Sequence, residues 1–347
     1  MTETTPAAQL QIPIWLDCDP GHDDAVAMLL SCFHPAFELL GISASYGNAP
    51  IERTEYNARS LITCFNKYNC GFEVYQGATR PWVRLPHYAP GIHGETGLDG
   101  TDLLPEPQFE LSSVSYLDAI EEKINHCHSK GLAFNFVCTG PTTGIATLLK
   151  ERPYLIDKIS YISIMGGGFH GVGNANIHLS AEFNVWCDPH SANFLFTDPA
   201  ISKKCIWIPL NLTHKAIATK SIVHDLFDAP MKRGTTIKPL MKDLFAYFGK
   251  AYKNQEGFQN GPPIHDPLAL LPLLDFYGDS STINFIYKRL DVIVNYSSEN
   301  DPDLGKCSIV NEYARDSSLG VIVGVGLNFT RFWNDIKICV EYCEANQ

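Results

Sequence analysis

The chain has 347 residues, 45% hydrophobic and 18% charged, the balance of a globular protein with a sizeable core rather than a disordered one. At roughly 100–200 residues per domain, that length suits one large α/β domain or two ordinary ones. Lys plus Arg number 26 against 38 Asp plus Glu, and a net charge of −12 repels phosphate backbones, so nucleic-acid binding is excluded as a first reading.

Residues 1–11 (MTETTPAAQLQ) are polar and read as a flexible tail. Residues 12–16 (IPIWL) read as a short buried strand, and 24–34 as a helix with Val26, Leu29, Leu30 and Phe33 on one face. A strand follows at 39–45 and a helix at 55–65 carrying Tyr56, Leu61 and Ile62; residues 72–75 are short and extended. Residues 81–108 are rich in Pro, Gly and His, an irregular excursion of a length that is usually functional or disordered. The pattern then gives a helix at 116–126, a strand at 133–138, a helix opening at 144–149 and a strand at 159–165 before a glycine-rich turn. A helix at 189–196, a strand at 205–209 and helices at 237–252 and 267–274 come next. Strand-like segments at 290–295 and 307–310 precede a final helix at 332–343.

This repeated βα order predicts an open, mainly parallel, Rossmann-like α/β sheet with helices on both faces. With no internal repeat and no linker, residues 12–347 read as one domain whose ligand sits beyond the carboxyl ends of the strands. Eleven scattered cysteines without a C-x-x-C fit reduced thiols better than a disulfide framework or a zinc ribbon. The N-terminal residues lack the basic and apolar stretches of a signal or transit peptide. The longest apolar run, near 25–33, is about half the ~20 residues of a membrane span. A cytoplasmic protein is expected, with the nucleus as the alternative, no membrane partner, and the sequons at Asn211, Asn295 and Asn328 as chance matches.

The most informative stretch is Asp17-Cys-Asp19-Pro-Gly-His-Asp23-Asp24, directly after the first strand. Asp17 and Asp19 are two residues apart and project to the same side of the strand end. Pro20-Gly21 forces a turn, and Asp23 and Asp24 fall in the first turn of the next helix, where the dipole favours negative charge. That dipole is worth only ~0.3–1 kcal/mol, too little to hold four converging carboxylates ionised. A hard divalent cation does so, and an all-oxygen donor set points to Ca²⁺ or Mg²⁺ rather than zinc. The rival readings are a solvated acidic loop and the D-x-D nucleophile of haloacid-dehalogenase phosphohydrolases, whose motif lacks the Asp23-Asp24 pair.

Asp17-Cys-Asp-Pro-Gly-His-Asp-Asp-Ala resembles the opening motif of the inosine–uridine preferring nucleoside hydrolases. Further pieces follow in that family's order: Gly47-Asn48, Ile92-His-Gly-Glu-Thr-Gly-Leu-Asp-Gly100, Thr139-Gly-Pro141, Ile164-Met-Gly-Gly-Gly168, Ala181-Glu-Phe-Asn-Val185, Asp188-Pro189, Asn211-Leu-Thr-His214 and His265-Asp-Pro267. The resemblance implies the nucleoside hydrolase fold and hydrolysis of ribonucleosides to ribose and free base. It places Ca²⁺ on Asp19, Asp24, the Thr139 carbonyl and Asp266, with Asp17 adjacent and Asp19 as general base on water. Asp23, Asn48, Glu182, Asn184 and either Asn174 or Asn176 are then the ribose contacts, with Met165 and Phe183 packed nearby and Asp266 serving ribose and metal alike. The choice between Asn174 and Asn176 stays open because Asn176-Ile-His-Leu179 lengthens the family's spacing there. His265 and His93 are the candidates to contact the leaving base, since imidazole exchanges protons near neutral pH. Tyr247 and Tyr252 suit the base pocket or the core alike. His93 matches the histidine of pyrimidine-preferring members, so uridine is the expected substrate; a broader, purine or nicotinamide riboside preference is the alternative. A dimer or tetramer is expected by the same analogy.

Two other signals are set aside. Gly166-Gly-Gly168-Phe-His-Gly171 matches G-x-G-x-x-G, yet no helical periodicity follows it, so a dinucleotide site is rejected. His126-Cys-His128 lies among Glu, Lys and Ser at a helix end and reads as solvated surface. A non-catalytic ribose-binding protein is the remaining rival to an enzyme.

Overall fold

A computed structural model describes residues 11–230, 232, 234–278 and 283–347; the tail read at 1–11 lies outside them apart from Gln11. Nine strands form one sheet: β1 Ile12–Cys18, β2 Phe37–Ala44, β3 Val74–Gln76, β4 Asn135–Cys138, β5 Tyr161–Met165, β6 Cys205–Ile208, β7 Ile286–Val294, β8 Cys307–Tyr313 and β9 Val321–Gly326. Their spatial order is β3-β2-β1-β4-β5-β6-β9-β7-β8. Every pairing from β3 across to β9 is parallel, and β7 runs antiparallel to both β8 and β9. The sheet is thus the expected mainly parallel one with an antiparallel edge.

Alternation along β1 explains its burial on both faces. Ile12, Ile14, Leu16 and Cys18 belong to one apolar cluster with helices Asp24–Phe33, Ile237–Gln255 and Phe329–Asn346. Trp15 points the other way, into the cluster packed by helices Tyr116–Ser129, Thr143–Glu151 and Pro189–Thr197. Successive side chains of a strand face opposite sides, so a central strand between two helical layers must be apolar throughout. Among the described residues no helix is long and apolar enough to cross a membrane.

The chain leaves β1 toward β2 and β3, then returns past it to β4, β5 and β6. The order therefore reverses between β1 and β4, and a crevice opens at their carboxyl ends. Asp17 pairs in register with Ser43 on β2 and with Cys138 on β4, so the acidic stretch emerges into that crevice.

The structure extends or adds elements at several places. The excursion at 81–108 carries one helical turn, Pro90–His93, and the helix read at 267–274 divides into a 3₁₀ turn, Asp266–Ala269, and helix Leu271–Phe276. β9 is an addition that the pattern did not give. Gly324 and Gly326 weaken its strand propensity, and its pairing partners lie far along the chain. Helices Phe183–Cys187 and Lys220–Phe227 are also additions, too short for periodicity to mark.

Candidate active site

β1 delivers Asp17 at its last turn of pleat, and Asp19 follows immediately. Gly21 donates its N–H to Asp24 Oδ2 at 2.9 Å, which curls the chain into helix Asp24–Phe33 with Asp23 at the N-cap position. Asn48, just after β2, ties the turn together. Its N–H donates to Asp19 Oδ2 at 2.8 Å, and its side-chain amide donates to the Asp19 carbonyl and to Asp24 Oδ2, both at 3.1 Å.

Thr139, just after β4, closes the crevice. Its hydroxyl donates to Asp24 Oδ1 at 2.8 Å, and its carbonyl accepts from Asn184 Nδ2 at 2.7 Å. The fourth wall comes from far along the chain: the His265 N–H donates to Asp23 Oδ2 at 3.2 Å and sets Asp266 beside the others. Carboxylate oxygens of Asp23, Asp24 and Asp266 come within 4.8 Å of one another.

Asp19 and Asp24 are wholly shielded from solvent, and Asp17, Asp23 and Asp266 nearly so. Burial pushes the Asp17 carboxyl up to about 6, against the hydroxyls of Ser43 and Ser45 that each donate to Oδ1 at 2.7 Å. Burial and the Asp24 charge push Asp23 up to about 7. Asp19 and Asp266 rise well above the ordinary carboxylate range, by burial and then by neighbouring carboxylates. Asp24 rises too, by burial. Among the described residues no Lys or Arg lines the cavity to offset this charge. Asp19 Oδ1 and Asp17 Oδ2 are buried without a hydrogen-bond partner among the described residues. Orphaned buried carboxylate oxygens are costly, and an all-oxygen set without a cationic side chain fits a hard divalent ion.

In front of the cluster lies a cavity of about 790 Å³, within the range of small-molecule sites. Asp23, Asn48, Thr139 and Asp266 form its floor, whereas Asp17, Asp19 and Asp24 lie behind that surface. Met165, Glu182, Phe183 and Asn184 form one wall. Glu182 accepts backbone N–H groups from Gly167, Asn184 and Val185 at 2.8–3.1 Å, which fixes the carboxylate although burial raises its pKa. Asn174 lines the cavity and accepts from the Phe183 N–H at 2.9 Å. Asn176 does not line it: its amide is spent on Ser180 and the Leu304 carbonyl.

His93, His265 and Tyr252 also line the cavity. His265 has both ring nitrogens engaged, Nδ1 with Thr213 Oγ1 at 2.7 Å and Nε2 with the Tyr252 hydroxyl at 2.8 Å. Burial drives its pKa well below the ordinary histidine range, so the ring is neutral. His93 is likewise pushed down by burial, and its Nδ1 lies 3.2 Å from His22 Nδ1. Tyr247 stacks on His22 and belongs to a second, neighbouring cavity. Tyr88, His214, Gln255, Glu256 and Phe258 also line the main cavity and were not singled out as site residues by the sequence. His214 stood in a motif piece, the one signal that pointed to any of them.

The comparisons with known proteins agree with this geometry. A family profile described as inosine-uridine preferring nucleoside hydrolase matches residues 14–334. A uridine nucleosidase of Saccharomyces cerevisiae is 53% identical over 331 residues, 94% of this chain and 95% of the yeast protein. A probable ribonucleoside hydrolase of Dictyostelium discoideum is 32% identical over 340 residues, 96% of this chain and 95% of its own length. Among solved structures, a purine-preferring ribonucleoside hydrolase from Gardnerella vaginalis superposes with a TM-score of 0.79 over 96% of this chain and 99% of that one. At 24% identity that likeness establishes a shared fold. The chain belongs to the inosine–uridine preferring nucleoside hydrolase family and is an N-glycosyl hydrolase.

Proposed function

We propose that this protein hydrolyses the N-glycosidic bond of uridine to uracil and ribose, with Ca²⁺ as its resident ion. The observation that carries the reading is the meeting of Asp23, Asp24 and Asp266, with Asp23 and Asp266 facing one cavity and Asp19, whose Oδ1 is unpartnered among the described residues, in the same acidic stretch. The identity to the yeast protein named for uridine supports the base.

Asp19, Asp24, Asp266 and the Thr139 carbonyl would hold the ion. When bound, Ca²⁺ supplies positive charge that gathers the ribose diol and lowers the pKa of a water. Asp23, Asn48, Asn174, Glu182 and Asn184 orient the sugar through its hydroxyls, and Met165 and Phe183 exclude water around it. Asp19 takes the proton from the attacking water as general base. As the base departs, a hydrogen-bond chain points at it. Thr213 Oγ1 and the Tyr252 hydroxyl bracket the neutral His265 ring at Nδ1 and Nε2, and with the ring proton on Nε2 the Tyr252 O–H is left to donate to the base. Burial holds Tyr252 well above the ordinary phenol range, so the hydroxyl stays protonated and serves as a hydrogen-bond donor to the departing base. His93 contacts the base as well. Residues 12–347 act as one catalytic unit, in a cytoplasmic dimer or tetramer.

The direct test is release of reducing ribose from uridine, cytidine, inosine, adenosine and nicotinamide riboside, with and without chelator. Turnover fastest on uridine and lost on metal removal supports the reading; no release from any nucleoside by the calcium-loaded protein overturns it.

Two variants probe its parts. Tyr252→Phe is expected to lower kcat on uridine by about a hundredfold. It should leave hydrolysis of p-nitrophenyl riboside, whose leaving group needs no proton, nearly as fast as wild type. Equal losses on both substrates would remove Tyr252 from leaving-group activation. Gly140→Ala places a Cβ 2.6 Å from Asp19 Oδ1. The displaced carboxylate is expected to cost about a hundredfold in kcat, the scale of a 1 Å misplacement; wild-type turnover would mean that Asp19 need not hold its position.

A further inference from the structure

Among the described residues four carboxylates line the main cavity, Asp23, Asp266, Glu182 and Glu256, and no Lys or Arg does. Asp23 and Asp266 belong to the cluster whose charge a divalent ion offsets. Glu182 is stabilised locally by three backbone N–H groups. Glu256 has neither form of support.

It directly follows helix Ile237–Gln255, where the dipole is negative and an acid is disfavoured. Burial pushes its carboxyl up to about 7, and the Glu182 charge adds to that, against one hydrogen bond from the Asn174 amide. A glutamine would make the same hydrogen bond without the charge, and a lysine would suit the helix end better. The fold therefore gains nothing from a negative charge here. Ionisable groups held against their electrostatic preference in a cleft mark function.

Resting on the reading of this cavity as a ribonucleoside site, we propose that Glu256 is a specificity residue whose charge rejects phosphorylated ligands, nucleoside monophosphates and ribose phosphates, in favour of uncharged nucleosides. Rejection by like charge is a specificity device that costs the cognate neutral ligand little. Glu256 also holds Asn174 in place, a positioning role that the conservative variant separates from the charge.

The test is calorimetric titration of the calcium-loaded full chain with uridine 5′-monophosphate and with ribose 5-phosphate at pH 8, in wild type, Glu256→Gln and Glu256→Ala, each checked for folding by thermal melting. Glu256→Gln is expected to bind both phosphates about tenfold more tightly than wild type. That gain should shrink in high salt, because charge repulsion is screened. Phosphate affinities unchanged in Glu256→Gln overturn the proposal. A change confined to Glu256→Ala also overturns it, since it would leave Glu256 as a bracket for Asn174 alone. Uridine hydrolysis in the same wild-type sample reports separately on the underlying reading: tighter phosphate binding without any hydrolysis keeps the charge filter and removes the hydrolase assignment.

Discussion

Asp19→Asn is expected to abolish turnover and, in the metal-free protein, to raise the melting temperature. Asparagine keeps the acceptor that receives the Asn48 N–H at 2.8 Å, so the turn after β1 is preserved. What disappears is a fully shielded carboxylate whose Oδ1 has no partner and whose neighbours Asp24 and Asp23 are also acidic. Losing a general base costs about 10²–10⁴-fold in rate. Removing an uncompensated buried charge stabilises, and the two effects together are the mark of a site held under electrostatic strain for function. The measurements are ribose release from uridine at saturating calcium and thermal melting in chelator. Wild-type turnover in the variant would strip Asp19 of its role. Lost turnover with a lowered melting temperature would instead make Asp19 a structural acid.

The same electrostatics explain why the sequence was legible where it was. β1 is apolar on both faces up to Asp17, so its end could be located, and four acids within eight residues there are more than a strand end and a helix start call for. The two-residue spacing of Asp17 and Asp19 predicted that they project to the same side, and said nothing of their separate partners. The structure puts Asp17 onto Ser43 and Ser45, and turns Asp19 toward Asn48. The joining of Asp266 to Asp23 and Asp24 is a tertiary event across more than two hundred residues, and only the family resemblance anticipated it. Asn174 and Asn176 were inseparable in one dimension. Their fates differ because Asn176 takes a left-handed conformation at φ 62° and turns its amide to Ser180 and Leu304. Tyr247 and Tyr252 look alike on one helix for the same reason. The five-residue offset rotates one toward His265 and the other onto His22. Glu256 left no sequence signal at all, since an acid beyond a helix end is ordinary until it is seen facing a cavity.

Calcium is expected to stabilise the protein far more at pH 8 than at pH 5, and its removal to abolish turnover. Without the ion, burial raises the folded-state pKa of Asp17 from 3.8 to about 6 and of Asp23 from 3.8 to about 7. Between about pH 4 and pH 7 the folded protein therefore holds protons that the unfolded chain has released. Stability falls with rising pH wherever the folded state binds more protons, so these groups weaken the metal-free fold progressively across that window. Below it they are protonated in both states and contribute nothing. Calcium needs the ionised carboxylates, so it must displace those protons when it binds at low pH and finds them gone at high pH. At a hundred times its Kd the ion adds about 2.7 kcal/mol, a shift of a few degrees in a chain of this size. Scanning calorimetry at pH 5, 6, 7 and 8, with calcium or chelator, measures the gap. Titration in buffers of different ionisation enthalpy counts the protons released. A gap that widens toward pH 8, with proton release greatest at pH 5 and falling as pH rises, is the expected result. A calcium shift independent of pH, without proton release, would mean that the ion does not bind among these buried carboxylates, and the cluster of Asp23, Asp24 and Asp266 would need another partner for its charge.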